Sequence, residues 1–401
     1  MKDKIAFIAV GQAGGNIGQL FESMGYTVLY INTSREDLET LENAKFRYHV
    51  SNGEGCNKDR HKAKHLIVED FDNIAAEIEA KLQDRLLFVI FASGGGTGSG
   101  AGPMLIDLLL DDGREVGAVT ILPSPAESVK AHINSYECFT ELTQIQGTAA
   151  CFILDNNRGD KINLNEQFAD DFNSFLEIPE KYKSLRGNID RAEIEETLKA
   201  HGMAMIVHAQ GVDSSQVIQA LTDNEYAPAE ADRTVKYITA ALTGNVSMED
   251  LEKAVGTPVD TFRAYSGEES ICCVCGMTYP KTRLEEMYNK VAENKDTIRK
   301  NLEATQENKE VLKNLKNGEC LFQDLDRHIG ILRFDAVFQD IIDLFSTTPK
   351  ARGQEAEQID QTETEESRQS EKKVEENQTE TMEDELNFEF DMEELLKKES
   401  I

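Results

Sequence analysis

Apolar runs alternate with segments of helical periodicity over the first 155 residues of the chain. The runs are short and rich in Val, Ile, Leu and Phe, as in buried strands, and the apolar spacing between them fits amphipathic helices. Strands joined by crossover helices are typical of a parallel α/β sheet. The predicted strands are 5–10, 28–31, 86–92, 116–122 and 150–154, and the predicted helices include 17–24, 60–82 and 104–110.

A second block of mixed pattern follows the first. We predict helices at 163–176 and 192–200, then strands at 203–209, 270–276 and 329–334 with helices at 234–242 and from 284 onward. The charged stretch 284–315 has sparse apolar residues and fits a long solvated helix. The predicted order is an α/β domain (1–162), a central helix and linker (163–186), a smaller α/β C-terminal domain with a helical extension (187–348) and a tail (349–401).

The composition of the tail differs from the rest of the chain. Residues 351–401 hold 18 acidic and 6 basic side chains, too polar to bury a core, so we predict a disordered acidic tail. Its end carries large apolar side chains. It is either a solubilising tail or a short motif that docks on a partner or on the assembled protein. These apolar residues are Leu386, Phe388, Phe390, Met392, Leu395 and Leu396.

The charge balance of 42 basic against 74 acidic residues, net -32, opposes direct binding to nucleic acid or to an anionic membrane. No apolar stretch reaches the roughly 18 residues of a membrane span, and no signal cleavage site follows Met1. We therefore predict a cytoplasmic protein. The seven cysteines fit reduced thiols in so long a chain. Cys272, Cys273 and Cys275 lie in an apolar run and indicate a buried strand; no metal site is predicted.

The first candidate for chemistry is the glycine-rich run 11–18, which follows a predicted strand and opens a helix. Glycines let the backbone approach a phosphate, and a helix N-terminus offers free N–H groups and a positive dipole end. Rossmann dehydrogenases use the same physics, so a nicotinamide-dependent oxidoreductase is one alternative. The glycine spacing differs from theirs, although Glu36 and Asp37 follow the second strand where an acid could bind ribose.

The second candidate is the run 93–102, Ser-Gly-Gly-Gly-Thr-Gly-Ser-Gly-Ala-Gly, again between a predicted strand and a helix. Its backbone N–H groups can form a nest around phosphates. The chain has no P-loop lysine motif. Backbone dipoles and Mg²⁺ carried on the phosphates must therefore neutralise the nucleotide.

These motifs resemble the tubulin/FtsZ superfamily. The run 94–100 matches its signature, and 11–16 matches its first phosphate loop. Residues 31–34, 53–56 with Lys58, Arg60 and Ala63, and 154–157 are similar to the TubZ branch of plasmid and phage partitioning GTPases. The resemblance covers about 1–350 and implies a tubulin/FtsZ-like fold: a Rossmann-like GTP-binding domain, a central helix, a C-terminal activation domain and a long C-terminal helix.

The resemblance implies a binding site for GTP and GDP. The two glycine runs would hold the phosphates, and the loop after Gly53 would sense the terminal phosphate. Glu127 would contact ribose, Asn156 or Asn157 with Asn173 would recognise guanine, and Phe168 would either stack on the base or belong to the core. The remaining predicted binding residues are Gly11, Gln12, Ala13, Asn16, Asn32, Gly55, Cys56, Gly94, Gly95, Gly96, Thr97 and Gly98.

The third candidate is Asn188 with Asp190 and Glu193, at the predicted start of a helix. Two acids three residues apart there fit a capping motif. The resemblance gives the same residues a second role: in tubulin-like GTPases this loop orients the attacking water in the site of the neighbouring subunit. Asp190, Glu193 and Asn188 are therefore the predicted catalytic residues.

The sequence thus predicts a GTPase that assembles head to tail with copies of itself and segregates plasmid or phage DNA through a DNA-bound adaptor. The alternatives are an FtsZ-like cell-division GTPase, a nucleotide-binding structural protein without turnover, and the oxidoreductase.

Overall fold

The computed structural model describes residues 1–83, 85–210, 213–231, 233–267 and 269–294, and two strands at 319–323 and 329–333. Residues Met1–Val291 form one compact unit. In the second unit, Ala292–Ile401, the described residues are 292–294 and an antiparallel pair of strands, β11 (Glu319–Gln323) and β12 (Ile329–Arg333). The predictions for the charged stretch 295–315 and for the acidic tail lie outside the described residues.

The first unit is built on one ten-stranded sheet in the order β3-β2-β1-β4-β5-β6-β7-β10-β8-β9. The strands from β3 to β7 are parallel, and β10 runs antiparallel to both of its neighbours. The strands are β1 (Ile5–Val10), β2 (Thr27–Asn32), β3 (Phe46–His49), β4 (Leu86–Ala92), β5 (Val116–Leu122), β6 (Ala150–Asp155), β7 (Gly202–Gln210), β8 (Tyr237–Leu242), β9 (Asp260–Tyr265) and β10 (Glu269–Met277).

Helices cover both faces of this sheet. Alternate residues of β1 enter two separate apolar cores: Ala6 and Ile8 belong to one, Ile5 and Phe7 to the other. The helices are α1 (Gly11–Ser23), α2 (Arg35–Glu39), α3 (Arg60–Glu69), α4 (Phe71–Leu82), α5 (Thr97–Asp111), α6 (Val129–Leu142), α7 (Lys161–Leu176), α8 (Ile178–Lys181), α9 (Arg191–Leu198), α10 (Ser214–Asp223), α11 (Met248–Val255) and α12 (Lys281–Glu293).

The predicted α/β architecture is confirmed, with two corrections. The predicted helix 234–242 is wrong: its second part is β8, every residue of which is buried between β10 and β9, so sheet pairing overrides the helical propensity of its alanines. The predicted helix 60–82 is broken at Asp70. The buried Asp70 carboxylate accepts hydrogen bonds from Ser51 N at 2.7 Å and from Asn73 Nδ2 at 2.8 Å.

The cysteine run in β10 is buried, which confirms its interpretation as an interior strand. In the described part of the chain, no helix has the length and apolar character needed to cross a membrane. The predicted domain boundaries stay a prediction. The sheet is continuous across them, because β6 of the first predicted domain pairs with β7 of the second.

The central helix α7 is tied to the second half of the sheet by a part-buried polar cluster around His208. On β7, His208 places Nδ1 3.3 Å from Asp171 of α7 and Nε2 2.9 Å from Glu269 of β10. Tyr226 donates to Asp171 at 2.5 Å, and Tyr182 donates to Glu269. The Asp171 carboxylate, and after it Glu269, raise the pKa of His208 to about 8.

We expect this cluster to make folding stability depend on pH. The folded pKa of His208 lies above the roughly 6.5 of an unfolded histidine. Its contribution, on the order of 1 kcal/mol once solvent screening of the part-exposed imidazole is included, is therefore fully present below about pH 6.5 and is lost as the pH rises through 8. Urea unfolding at about pH 6 and pH 9 measures it. His208→Gln should flatten the pH dependence, whereas the exposed His65→Gln should leave it unchanged.

Candidate functional site

The two glycine runs meet at the carboxyl edge of the parallel strands. Gly11 follows β1 with a φ of +70°, which favours glycine, and a Cβ there would lie 3.5 Å from Gly98 N and from Thr97 Cβ. Neither α1 nor α5 has a side chain that caps its first turn, and neither first turn carries an acid. Helices α2, α3, α6, α7, α9 and α10 each have a capping side chain, whereas α4, α8 and α11, like α1 and α5, do not. Two uncapped helix N-termini thus converge on one place, as an anion site requires.

The loop 51–58 packs against this place. Gly55 N donates to Thr33 O at 2.9 Å, and Thr33 Oγ1 lies 3.3 Å from Cys56 Sγ and 2.8 Å from Thr97 Oγ1. A Cβ on Gly53 would lie 2.6 Å from Thr33 O. The predicted residues of this loop and of the second glycine run are therefore brought together through Thr33, which the sequence did not single out.

The predicted residues around the first run differ in position. Gln12 and Asn16 are exposed and four residues apart, on one face of α1, and Ala13 is half-buried between them. Asn32 is buried, and its amide is used within its own loop, bonding Asp37 Oδ2 at 3.2 Å and Ser34 N at 3.1 Å. Asn32 therefore shapes the turn after β2, directly before Thr33, and its contact with the nucleotide stays a prediction.

Asn134 of α6 is a positioning residue that the sequence reasoning missed. Its side chain is buried, and Nδ2 donates to Gly95 O at 2.8 Å and to Lys58 O at 3.0 Å. One amide therefore links the second glycine run to the loop 51–58. A lone asparagine inside an amphipathic helix gives no sequence signal for such a role.

We expect Asn134→Ala to uncouple these loops. The carbonyl oxygens of Lys58 and Gly95, in part-buried bonds, lose the Asn134 amide, although Gly95 O still accepts from Ser99 Oγ. The free energy of unfolding should fall by about 1 kcal/mol, and binding of GTP should weaken. Urea unfolding and calorimetric titration with GTP measure the two effects. Asn163→Ala is the matched control, because the Asn163 side chain is exposed on α7.

The loop after β5 carries the predicted ribose contact. Glu127 Oε1 accepts from Ser124 N at 3.1 Å and lies 4.0 Å from Nζ of Lys161, the first residue of α7. Asn165 lies one turn further on the same face of α7 and is half-buried. Because Lys161 faces this loop, Asn165, one turn later, lies on the same side of α7 and presents an amide side chain there.

The other predicted base contacts lie in three different places. Asn156 is half-buried and its N donates to Leu122 O at the end of β5, while Asn157 is exposed. Asn173 bonds Tyr26 Oη at 2.9 Å and Glu177 Oε1 at 3.0 Å. Tyr26 precedes β2, so Asn173 lies at the opposite edge of the sheet from the glycine runs. Its predicted contact with guanine does not fit this position.

Phe168 belongs to the core. It is 1% exposed, and its ring packs against Phe21, Phe152, Phe172 and Tyr226 at centroid distances of 5.6–6.3 Å. The structure favours the core alternative over stacking on a base, since the ring is enclosed by other aromatic side chains.

Two basic residues of α12 brace the loops after β5 and β6. Arg283 is buried and donates to Pro123 O and to Asp155 Oδ2, both at 2.8 Å. Lys290 Nζ donates to Pro125 O and lies 3.4 Å from Glu127 O. The backbone of the loop that carries Glu127 is therefore held by a helix from the second half of the chain.

The predicted catalytic residues lie at the opposite edge of the sheet. Asp190 and Glu193 form a reciprocal capping box at the start of α9, Glu193 N to Asp190 Oδ1 at 3.0 Å and Asp190 N to Glu193 Oε2 at 2.8 Å. This confirms the capping interpretation. Asn188 and Asp190 are exposed and Glu193 is half-buried. The box engages one oxygen of each carboxylate, so capping of α9 does not use the other.

A cavity of about 610 Å³ adjoins these acids. It is lined by residues of the segment 179–191, including Asn188 and Asp190. Arg191 reaches Asp3 at 3.3 Å, just before β1 begins. The glycine run follows the other end of β1, about 20 Å away for six residues of strand. The acids and the glycine runs of one chain therefore lie at opposite poles of its sheet.

Residues 4–163 match the Tubulin/FtsZ family, GTPase domain. The chain is 31% identical over 319 residues to the tubulin-like protein TubZ of Clostridium botulinum C phage, covering 77% of this chain and 88% of the relative. It is 26% identical to the tubulin-like protein CetZ of Pyrococcus abyssi over 51% of this chain and 58% of that relative.

The fold agrees with these matches. The crystal structure of Clostridium botulinum phage c-st TubZ superimposes with a TM-score of 0.67 and 28% identity, over 74% of this chain and 99% of the other. A GTPγS-form protofilament of Bacillus thuringiensis TubZ has the same fold, with a TM-score of 0.63 and 16% identity over 74% and 94% of the two chains. The dehydrogenase alternative is excluded, and the chain belongs to the tubulin/FtsZ family of GTPases.

Proposed function

We propose that this protein binds and hydrolyses GTP and assembles into head-to-tail filaments, in which each nucleotide meets the acids of the next subunit. The observation that carries the proposal is the placement of the uncapped glycine-run helices and the capped acidic helix at opposite ends of one sheet. One chain alone cannot bring them together, whereas a stack of chains in one orientation can.

The residues present fit a guanine nucleotide. The N–H groups of Gly11 and of 94–98 would hold the phosphates, with Gln12, Ala13 and Asn16 at the start of α1. Glu127 would bind the ribose hydroxyls, and Asn156 with Asn165 would present donors and acceptors to the guanine edge. Thr33, which contacts both Cys56 and Thr97, would hold the loop of Gly53, Gly55 and Cys56 beside the phosphates. Mg²⁺ carried on the phosphates would offset their charge.

The acids would act on water across the subunit boundary. The free oxygens of Asp190 and Glu193 are placed by the capping box, so they need little reorganisation to accept a proton or orient a water molecule. Asn188, exposed beside them, would complete the polar surface. Hydrolysis would then require the contact between subunits, which couples turnover to assembly.

The phage source of the 31% identical relative favours segregation of a phage or plasmid genome in the bacterial cytoplasm. With a net charge of -32, the protein would reach DNA through an adaptor that supplies the positive surface.

Phosphate release and light scattering, recorded together with GTP or ATP, test this proposal. We expect assembly and phosphate release with GTP, at a rate per subunit that rises with protein concentration, and neither with ATP. A rate per subunit that stays constant on dilution would contradict completion of the site between subunits. Binding of GTP without phosphate release would favour a structural nucleotide-binding protein.

A further inference from the structure

Lys58 lies at the junction of three parts of the site. Its φ is +63°, and its backbone N lies 2.7 Å from where a Cβ on Gly96 would be. Its carbonyl oxygen accepts from Asn134, the amide that also binds Gly95. The backbone of Lys58 is therefore fixed against the middle of the second glycine run.

The Lys58 side chain extends along that run. Nζ donates to Ser128 Oγ at 2.9 Å. Ser128 caps α6, and in the first turn of that helix Ala131 O lies 3.1 Å from where a Cβ on Gly94 would be. The backbone of Lys58 is thus held at Gly96, and its ammonium group is held at the first turn of α6, which packs on Gly94. The ammonium group therefore lies at the start of α6, whose first turn packs on the second glycine run.

The charge of Lys58 is not matched by its present partner. Arg60 is paired with Glu137 at 3.2 Å and Glu141 at 2.7 Å, and Arg283 with Asp155 at 2.8 Å. Lys58 instead donates to a neutral hydroxyl. Exchange of the hydroxyl for a phosphate oxygen gives the ammonium an acceptor of opposite charge, so that donor and acceptor are both ionised.

We propose that the Lys58 ammonium leaves Ser128 and binds the terminal phosphate of the nucleotide, and so supplies the side-chain cation that the glycine runs lack. This inference rests on the proposed GTP site. The loop that carries Lys58 selects the terminal phosphate: it follows β3, whereas the glycine runs follow β4 and β1 and Glu127 follows β5. The ammonium now bonds Ser128, next to Glu127 on the ribose side, so it has to swing back toward its own loop. A nucleotide with its ribose at Glu127 extends its phosphates toward that loop.

Calorimetric titration with GTP and with GDP in the presence of Mg²⁺ tests the proposal on the full chain. We expect Lys58→Ala to weaken GTP binding by about 10- to 100-fold and GDP binding by less than about threefold. Lys58→Arg should recover most of the affinity for GTP, because it keeps the charge. Lys62→Ala is the matched control, since Lys62 is exposed on the neighbouring helix α3 and should bind as the wild type does.

Three results would overturn the proposal in distinguishable ways. Unchanged GTP affinity of a folded Lys58→Ala would remove Lys58 from the site while leaving the proposed function intact. An equal loss for GTP and GDP would move the ammonium to an inner phosphate. Failure of the wild-type chain to bind either nucleotide would defeat the proposed function, and this inference with it.

Discussion

Asp190→Asn should abolish GTP turnover and leave GTP binding unchanged. Asparagine is as good a helix N-cap as aspartate, so α9 keeps its start, but the charge that would orient water in the next subunit is lost. Loss of one preorganised electrostatic group typically lowers a rate about 10²–10³-fold. Phosphate release should fall by that factor, and light scattering should show filaments that assemble and do not disassemble.

The control for this variant is Asp213→Asn. Asp213 also caps a helix, α10, through an exposed carboxylate, so it reproduces the chemical change at a cap outside the proposed catalytic residues. Its turnover should match the wild type. Loss of GTP binding in Asp190→Asn would contradict the assignment, because it would place Asp190 in the binding site of its own chain.

Gly96→Ala should weaken GTP binding by about 10- to 100-fold. A Cβ at this position would lie 2.7 Å from Lys58 N and 2.9 Å from Lys58 Cα. These are backbone atoms, so the loop 51–58 has to move, at a cost of about 1–3 kcal/mol. Titration with GTP measures the loss of affinity, and thermal unfolding shows that the fold is kept.

Gly244→Ala is the control, since a Cβ there meets nothing within 4 Å. Equal GTP affinity of Gly96→Ala and wild type would mean that the nucleotide does not need the two loops in contact. The geometry of the site would then have to be revised.

The first half of the fold followed from sequence because its signals are local. Each parallel strand from β1 to β6 except β3 is a continuous apolar run, and both glycine runs begin directly after a strand. Strand ends in a parallel sheet share one edge, so the two runs were bound to meet. The second half was harder, because β8 has the composition of a helix and is a strand only through pairing with β9 and β10.

The binding residues divide in the same way. Backbone contributions were recognisable, since glycines in series have few other uses. The binding side chains on α7 could not be recognised, because helical spacing does not fix how far a residue lies from the edge of the sheet that carries the glycine runs. Asn173 was placed about three turns beyond the edge that carries the glycine runs, whereas Asn165, in the second turn of α7, lies close to that edge. Contacts between distant segments, such as Asn134 with Lys58, leave no pattern in a single sequence.

Hydrolysis shared between two chains is the central claim, and mixing two defective chains tests it most directly. Asp190→Asn retains the glycine cradle, and Gly96→Ala retains the acids. The assay uses a GTP concentration that saturates the site of Asp190→Asn but not that of Gly96→Ala. Phosphate release by either variant alone should then be low, while an equal mixture of the two should regain a substantial fraction of wild-type activity. A mixture no more active than the two variants measured separately would contradict a site built from two subunits.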